Sequence, residues 1–291
     1  MTGSARRAAV LGHPVAHSLS PVLHRTAYAE LGLDGWSYDA LDVTSEQLES
    51  FVSALDASWA GLSLTMPLKQ TIVPLLDHVE PLAELVGAVN TVLVQPSARG
   101  SLVLTGANTD VFGIVAALRE GAADGGLPAR PRCVVLGSGA TAASTLAALG
   151  ELGCARAVVY ARSLARVGPL MRAAHKMGLE PEFRTFDERT AAVCAAADVV
   201  VATVPAHGAD PVAADITAAG LEASGILLDV VYEPRPTALM RAWRAAGGTA
   251  VGGERMLLHQ AAEQVRLMTG QVAPVAAMGT ALAEVLDETP G

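Results

Sequence analysis

Residues 133–142, with the sequence CVVLGSGATA, decide the fold, because they describe a buried strand that enters a glycine turn and then a helix. Gly137 would make the tight turn, and Gly139 would let the backbone approach a pyrophosphate. Ala142 is small enough for close packing of helix and strand, and the N-terminus of that helix favours an anion. Glycines at such a turn also occur for purely structural reasons. The pattern nevertheless predicts a dinucleotide-binding loop formed by Gly137, Ser138, Gly139 and Ala140.

The end of the next predicted strand, at 157–160, distinguishes NAD from NADP. Enzymes that use NAD place an Asp or Glu there for the ribose 2′-hydroxyl. This chain has Arg162 and Ser163 instead, with Arg166 close behind. A guanidinium binds a phosphate through two parallel hydrogen bonds, although arginines at a strand end can also be plain surface residues. Combined with the glycine turn, the arginines favour NADP as cofactor.

Further strand-like runs at 199–202 and 226–231 alternate with helical patterns, which is typical of a doubly wound parallel sheet. We therefore expect a Rossmann-type NADP-binding domain over residues 110–252. The chain before it also alternates short strands and helices, and its end, 256–286, is helical with breaks at Gly270 and Pro274. These segments, 1–109 and 253–291, should form a second α/β domain that binds the substrate. The predicted fold class is therefore α/β with two domains.

Local signals place several boundaries. Ser20 before Pro21 predicts the N-cap of a helix, and Thr44 with Gln47 predicts a capping box at the start of another. Residues 98–100 predict the turn of a hairpin, and 121–131, rich in Gly, Ala and Pro, predict a loop.

Composition narrows the function classes. The chain has 291 residues, 51% of them hydrophobic, and a formal net charge of −9. An acidic chain without a basic run is a poor candidate for nucleic acid or an anionic membrane. Three scattered cysteines, Cys133, Cys154 and Cys194, fit a reducing compartment, and the N-terminus lacks the apolar region of a signal peptide. We expect a cytoplasmic protein that acts on a small molecule as a monomer or homodimer.

Ordered motifs along nearly the whole chain resemble those of the shikimate dehydrogenase family. Five blocks with suitable separations are far more specific than one glycine loop. They are VLGHP and HSLSP at 10–21, GLSLTMPLK at 61–69, GAVNT at 87–91, NTD at 108–110, and the segment 256–261 that contains Gln260.

The resemblance implies NADP-dependent, reversible reduction of 3-dehydroshikimate to shikimate, a step of aromatic amino-acid biosynthesis. It implies Lys69 and Asp110 as the catalytic pair, and does not tell which of them moves the proton. Ketone reduction needs a hydride donor, a proton donor and groups that hold the substrate. The resemblance also assigns the substrate carboxylate to Ser18, Ser20 and Tyr232, the ring hydroxyls to Thr65, Asn90 and Gln260, and a cofactor contact to Gly253.

Each of these residues has a plainer interpretation. Ser20 and Asp110 could only cap helices, Lys69 could face solvent, Asn90 could belong to a turn, and Gln260 could lie on the surface. Each of these interpretations is reasonable for a single residue, but together they do not explain well why all of these residues occur in one chain. His13 and His17 lie beside the serine motif, but the sequence offers no third metal ligand, so we expect no metal.

The chain also departs from the family pattern. Ser63 stands where the family usually has Asn, Ala140 replaces a further glycine, and Ala161 replaces an Asn before Arg162. Three alternatives therefore stay open: a relative acting on quinate, one acting on an amino-substituted shikimate, and a regulator that binds NADP without turnover.

Overall fold

A computed structural model describes residues 5–97, 100–122 and 125–288, with the side chain of Glu288 excepted. The chain divides into two compact units. The first comprises the described parts of Met1–Thr109 and Leu258–Pro290, and the second is Asp110–Leu257.

The first unit is built on a mixed sheet. Its strands are β1 (Arg6–Gly12), β2 (Trp36–Asp42), β3 (Trp59–Leu64), β4 (His78–Val79), β5 (Thr91–Pro96) and β6 (Leu102–Ala107). They lie in the order β2-β1-β3-β5-β6-β4. β1 runs parallel to β2 and β3, whereas β5 runs antiparallel to β3 and β6.

Helices complete the first unit. They are α1 (Ser20–Glu30), α2 (Leu48–Ser53), α3 (Leu68–Thr71) and α4 (Pro81–Val86), followed at the end of the chain by α11 (Gly253–Thr269), which belongs to this unit from Leu258 onward, and α12 (Val275–Glu288). The apolar core contains Leu11, Leu62, Leu68 and Val92, none of which is accessible to solvent.

The second unit is a parallel sheet covered by helices. Its helices are α5 (Asp110–Ala122), α6 (Ala140–Glu151), α7 (Gly168–Lys176), α8 (Thr190–Ala195), α9 (Asp210–Ala218) and α10 (Ala238–Ala245). Its strands are β7 (Cys133–Leu136), β8 (Val158–Ala161), β9 (Glu182–Thr185), β10 (Val199–Ala202), β11 (Ile226–Asp229) and β12 (Thr249–Gly252). The order β12-β11-β10-β7-β8-β9, with parallel pairing throughout, is that of a doubly wound sheet.

The α/β fold class and the strands at 133–136 and 199–202 are confirmed. The strands predicted at 157–160 and 226–231 span Val158–Ala161 and Ile226–Asp229, and the predicted starts of two helices are wrong. Helix α1 begins at Ser20, so Leu19 is the N-cap and Ser20 lies inside the first turn, with its hydroxyl turned to Tyr38 instead of to the helix backbone. The amide of Gln47 accepts a hydrogen bond from the N–H of Thr44, as a capping box would require, but regular helix begins only at Leu48.

Two other predictions extend into residues that the structure does not describe. Helix α5 continues to Ala122, into the segment predicted as a loop, and residues 123–124 lie outside the described part of the chain. Residues 98–99 of the predicted hairpin turn also lie outside it, while the flanking strands β5 and β6 do pair antiparallel.

Candidate active-site residues and cofactor loop

The sheet topology of the first unit gathers the polar motifs at one edge. β1, β3 and β6 run in the same direction and end at Gly12, Leu64 and Ala107, while the antiparallel β5 begins at Thr91. The loops after β1, β3 and β6 and the residue before β5 therefore lie at the same edge of the sheet. Added atoms at Gly12 would collide with Thr65, so the first two of these loops are packed together.

Ser18 and Ser20 lie in the loop after β1 and at the start of α1. The N–H of Ser20 donates to Oγ of Ser18 at 3.3 Å, and the N–H of Ser18 donates to the carbonyl of Val15. Ser18 is half-buried, whereas Ser20 is buried and its hydroxyl bonds to the phenol of Tyr38. Ser18 and Ser20 are thus linked by a hydrogen bond where the loop after β1 meets α1.

Thr65 and Lys69 lie in the loop after β3 and on the short helix α3. The N–H of Thr65 donates to Leu11 of β1, and the N–H of Leu68 donates to the carbonyl of Thr65. The carbonyl of Lys69 accepts from the N–H of Val89 at 2.8 Å, which ties α3 to the residue before Asn90. Lys69 is only half-exposed, which argues against the interpretation that its whole side chain faces solvent.

Asn90 and Gln260 are buried, at 2% and 7% exposure, which excludes the surface interpretation of Gln260. Nδ2 of Asn90 donates to Oγ1 of Thr109 at 2.9 Å and to Oε1 of Gln260 at 3.4 Å. Oδ1 of Asn90 accepts from the N–H of Thr109 and from Oγ1 of Thr91, both at 2.8 Å. Amides and hydroxyls in this arrangement can bind a polyol, because each hydroxyl of such a ligand both donates and accepts.

Asp110 and Tyr232 belong to the second unit. Asp110 is the first residue of α5 and is buried. Tyr232 is half-buried after β11, and burial raises the pKa of its phenol. Its segment is held by Asp229, which accepts hydrogen bonds from Thr237 Oγ1 at 2.7 Å and from the N–H of Val231. Burial raises the pKa of the Asp229 carboxyl.

The glycine loop lies where the strand order of the second sheet reverses, between β7 and β10. Gly137 has φ of +120°, and a side chain there would collide with Thr203 at the end of β10. The backbone of Gly137 donates to Tyr160 of β8 at 2.8 Å. Open sheets bind nucleotides at such a reversal, beyond the carboxyl ends of the strands.

Space and charge at this loop fit a pyrophosphate. A Cβ added to Gly139, the N-cap of α6, would meet no atom within 4 Å. No side chain caps α6, and its first turn, which begins at Ala140, contains no acidic residue. Ser138 is half-buried beside it. Free N–H groups of a helix N-terminus favour an anion, so the residues present suit the diphosphate of a dinucleotide.

Arg162 and Arg166 are exposed directly after β8, the second in the 3-10 turn Leu164–Arg166, and Ser163 is half-buried between them. Ala161 is the last residue of β8. Gly253, at the start of α11, is buried against the carbonyl of Val230, and that close approach is sufficient reason for a glycine. Its assignment to the cofactor therefore stays a prediction.

Several polar residues that sequence reasoning missed take part in these arrangements. Thr203 packs on Gly137, Thr109 and Thr91 hold Asn90, and Gln264 lies buried one turn beyond Gln260 on α11. The spacing of four residues between the two glutamines would have placed them on one helix face.

Among the residues that the structure describes, no cluster of His, Cys, Asp or Glu could hold a metal ion. No helix in the same part of the chain is both long and apolar enough to cross a membrane.

In comparisons with known proteins, an N-terminal and a C-terminal segment of the chain each match a protein-family model. Residues 10–92 match the family model of the shikimate dehydrogenase substrate binding domain, and residues 253–282 match that of the shikimate 5′-dehydrogenase C-terminal domain. A relative from Citrifermentans bemidjiense, named shikimate dehydrogenase (NADP(+)), is 37% identical over 100% of this chain and 99% of its own length.

Two solved structures have the same fold as this chain over nearly its whole length. Shikimate dehydrogenase from Mycobacterium tuberculosis superposes with a TM-score of 0.84 at 38% identity, covering 96% of this chain and 99% of that one. The enzyme from Thermus thermophilus, solved in complex with NADP(H) and shikimate, has a TM-score of 0.78 at 33% identity, again covering 96% and 99% of the two chains.

Proposed function

This chain belongs to the shikimate dehydrogenase family, and on that premise we propose that it catalyses the NADP-dependent, reversible reduction of 3-dehydroshikimate to shikimate. The observation that carries the proposal is the gathering of Ser18, Ser20, Lys69 and Asn90 at one sheet edge, in a chain with full-length NADP-dependent relatives. The reaction belongs to the biosynthesis of aromatic amino acids.

The chemistry requires a hydride at the carbonyl carbon and a proton at its oxygen. Bound NADPH supplies the hydride. Lys69 lies on α3, which is bonded to the residue before Asn90, and an ammonium can donate the proton and stabilise the developing alkoxide. Asp110 is the second member of the catalytic pair. Correctly positioned acid–base groups contribute about 10²–10⁴-fold to a rate.

The substrate is held by neutral hydrogen bonds in this proposal. The paired hydroxyls of Ser18 and Ser20, with Tyr232, bind the carboxylate, while Thr65, Asn90 and Gln260 bind the ring hydroxyls. Because the amides of Asn90 and Gln260 are buried, an analogue that lacks a hydroxyl would leave a buried polar group without its partner. Such a site rejects deoxy analogues strongly.

The cofactor is held by the second unit. Gly137, Ser138, Gly139 and Ala140 surround the diphosphate, and Arg162, Ser163 and Arg166 bind the 2′-phosphate of NADP. Gly253 is assigned to the cofactor site without a specified contact. We further propose a cytoplasmic enzyme that acts on a small molecule as a monomer or homodimer, without nucleic acid.

The test is a spectrophotometric assay of the purified protein that offers shikimate and quinate, each with NADP and with NAD. We expect kcat/KM to be highest for shikimate with NADP. A preference for quinate would place the chain with the quinate-oxidising relatives, and a preference for NAD would refute the role of Arg162 and Arg166. Binding of NADP without turnover on either substrate, or on an amino-substituted shikimate, would indicate a regulator.

A further inference from the structure

We propose that Gln264 is a positioning residue that, acting through Thr91 and alongside the N–H of Thr109, helps to fix the Asn90 amide and thereby the affinity for the substrate's ring hydroxyl. The inference rests on the proposed function, in which Asn90 binds such a hydroxyl. Gln264 is 1% exposed, on the same face of α11 as Gln260 and one turn further along.

The amide of Gln264 is fully hydrogen-bonded, and its partners leave one orientation. Oε1 accepts from Oγ of Ser63 at 2.8 Å and from Nε2 of His24 at 3.2 Å. Nε2 donates to Oγ1 of Thr91 at 2.9 Å and to the carbonyl of Asn90 at 3.2 Å. A rotated amide would point its NH₂ group at Ser63 and its oxygen at a carbonyl, which costs free energy in a buried site.

This orientation passes through Thr91 to Asn90. Because Nε2 of Gln264 donates to Oγ1 of Thr91, the hydroxyl proton of Thr91 is free to point elsewhere. It points to Oδ1 of Asn90 at 2.8 Å. This bond and the one from the N–H of Thr109, also at 2.8 Å, hold Oδ1 of Asn90 in place, and Nδ2 is turned towards Oγ1 of Thr109 and Oε1 of Gln260. A substrate hydroxyl thus meets an Asn90 amide whose NH₂ group and oxygen already have fixed positions.

The opposite side of Gln264 is anchored by two further elements of the first unit. The phenol of Tyr38 donates to Oγ of Ser63 at 2.6 Å, so the hydroxyl of Ser63 is directed at Gln264. The ring of His24 stacks on that of Tyr38 with centroids 3.9 Å apart. Ser63, which departs from the family's usual Asn, is short enough to leave room for the glutamine amide between β3 and α11.

The first experiment replaces Gln264 with Met, which has a similar length and no amide. The Thr91 hydroxyl then loses its donor and can turn away from Oδ1 of Asn90, so the Asn90 amide is held by the N–H of Thr109 alone on that side. We expect the KM for shikimate to rise about tenfold, the effect of one lost hydrogen bond, with kcat and the KM for NADP close to those of the parent. Gln271→Met, the same change at an exposed glutamine just after α11, is the matched control, and its KM for shikimate should stay near the parent value.

A second pair of variants tests the relay without altering α11. Thr91→Val removes the hydroxyl and should raise the KM for shikimate as Gln264→Met does. Thr91→Ser keeps the hydroxyl and should keep the KM near the parent value. This pair decides the proposal if Gln264→Met fails to fold, as judged by its thermal transition.

A double-mutant cycle separates positioning from general support of the fold. If Gln264 acts through Asn90, Gln264→Met should add no further increase in KM once Asn90→Ala is present. The inference would be overturned if Gln264→Met raised the KM by the same factor with Asn90 and with Ala at position 90, or if it left the KM unchanged. Either result would leave the proposed function standing. An unchanged KM for shikimate in Asn90→Ala would instead refute the proposed role of Asn90 itself.

Discussion

The pH dependence of folding stability should carry the signature of one buried histidine. His24 is inaccessible to solvent and packs against the rings of Tyr28 and Tyr38 and the amide of Gln264. Burial lowers the pKa of its imidazole to about 3. In the unfolded chain the same group would titrate near 6.5. Between these values the unfolded state binds more protons, so the stability contribution is complete above about pH 6.5 and is lost as the pH falls towards 3.

The magnitude follows from the two pKa values. Between about pH 8 and about pH 5, the free energy of unfolding should fall by about 2 kcal/mol through His24 alone. The perturbation is His24→Gln, which keeps a donor for Gln264 and cannot be protonated. The variant should be less stable than the parent at the higher pH, since it loses the ring that stacks on Tyr38, but its stability should depend less steeply on pH.

The assay is urea-induced unfolding of the parent and the variant at both pH values. His175→Gln, which alters an exposed histidine on α7, is the matched control and should keep the parent's pH dependence. Equal pH slopes in the parent and His24→Gln would refute the reasoning, because the buried imidazole would then contribute nothing to the difference in proton uptake.

Three further outcomes follow from the proposed site. Lys69→Met should lower kcat by about 10²-fold or more while the exposed Lys176→Met does not, measured by NADPH absorbance, because Lys69 supplies the proton; equal rates would refute that role. Replacing Arg162 and Arg166 by Ser should raise the KM for NADP at least about tenfold with little effect on NAD, since the charge-assisted contacts of both arginines with the 2′-phosphate are lost; unchanged discrimination would contradict it. Gly137→Ala should destabilise the protein by about 1–3 kcal/mol and weaken NADP binding, because of its positive φ and the collision with Thr203; an unaltered thermal transition would count against the tight loop.

The parts of the fold that the sequence predicted are those set by local patterns. Residues 133–136 form a strand with the predicted bounds because four apolar residues run directly into a glycine with positive φ. The two-glutamine face of α11 was not predicted. A buried Gln in a helix has the same local pattern as an exposed one, and its partners come from positions 24, 63 and 91, far away along the chain.

Ser20 shows why residue type alone misassigns roles. Ser before Pro is a strong N-cap pattern, yet the helix begins one residue earlier and the hydroxyl turns to Tyr38 of β2. Tertiary contact outweighed the local preference there. The family resemblance supplied what local reasoning could not, since Lys69, Asn90 and Gln260 have no shared periodicity that would link them.

The central claim is that this chain oxidises shikimate with NADP. The most direct measurement mixes the purified protein with both, follows the absorbance of NADPH, and quantifies 3-dehydroshikimate in the same sample by mass spectrometry. We predict that the two products form in equal amounts, and that Lys69→Met lowers the rates of both together by about 10²-fold or more. NADPH without 3-dehydroshikimate, or no NADPH from a folded protein that binds NADP, would contradict the claim.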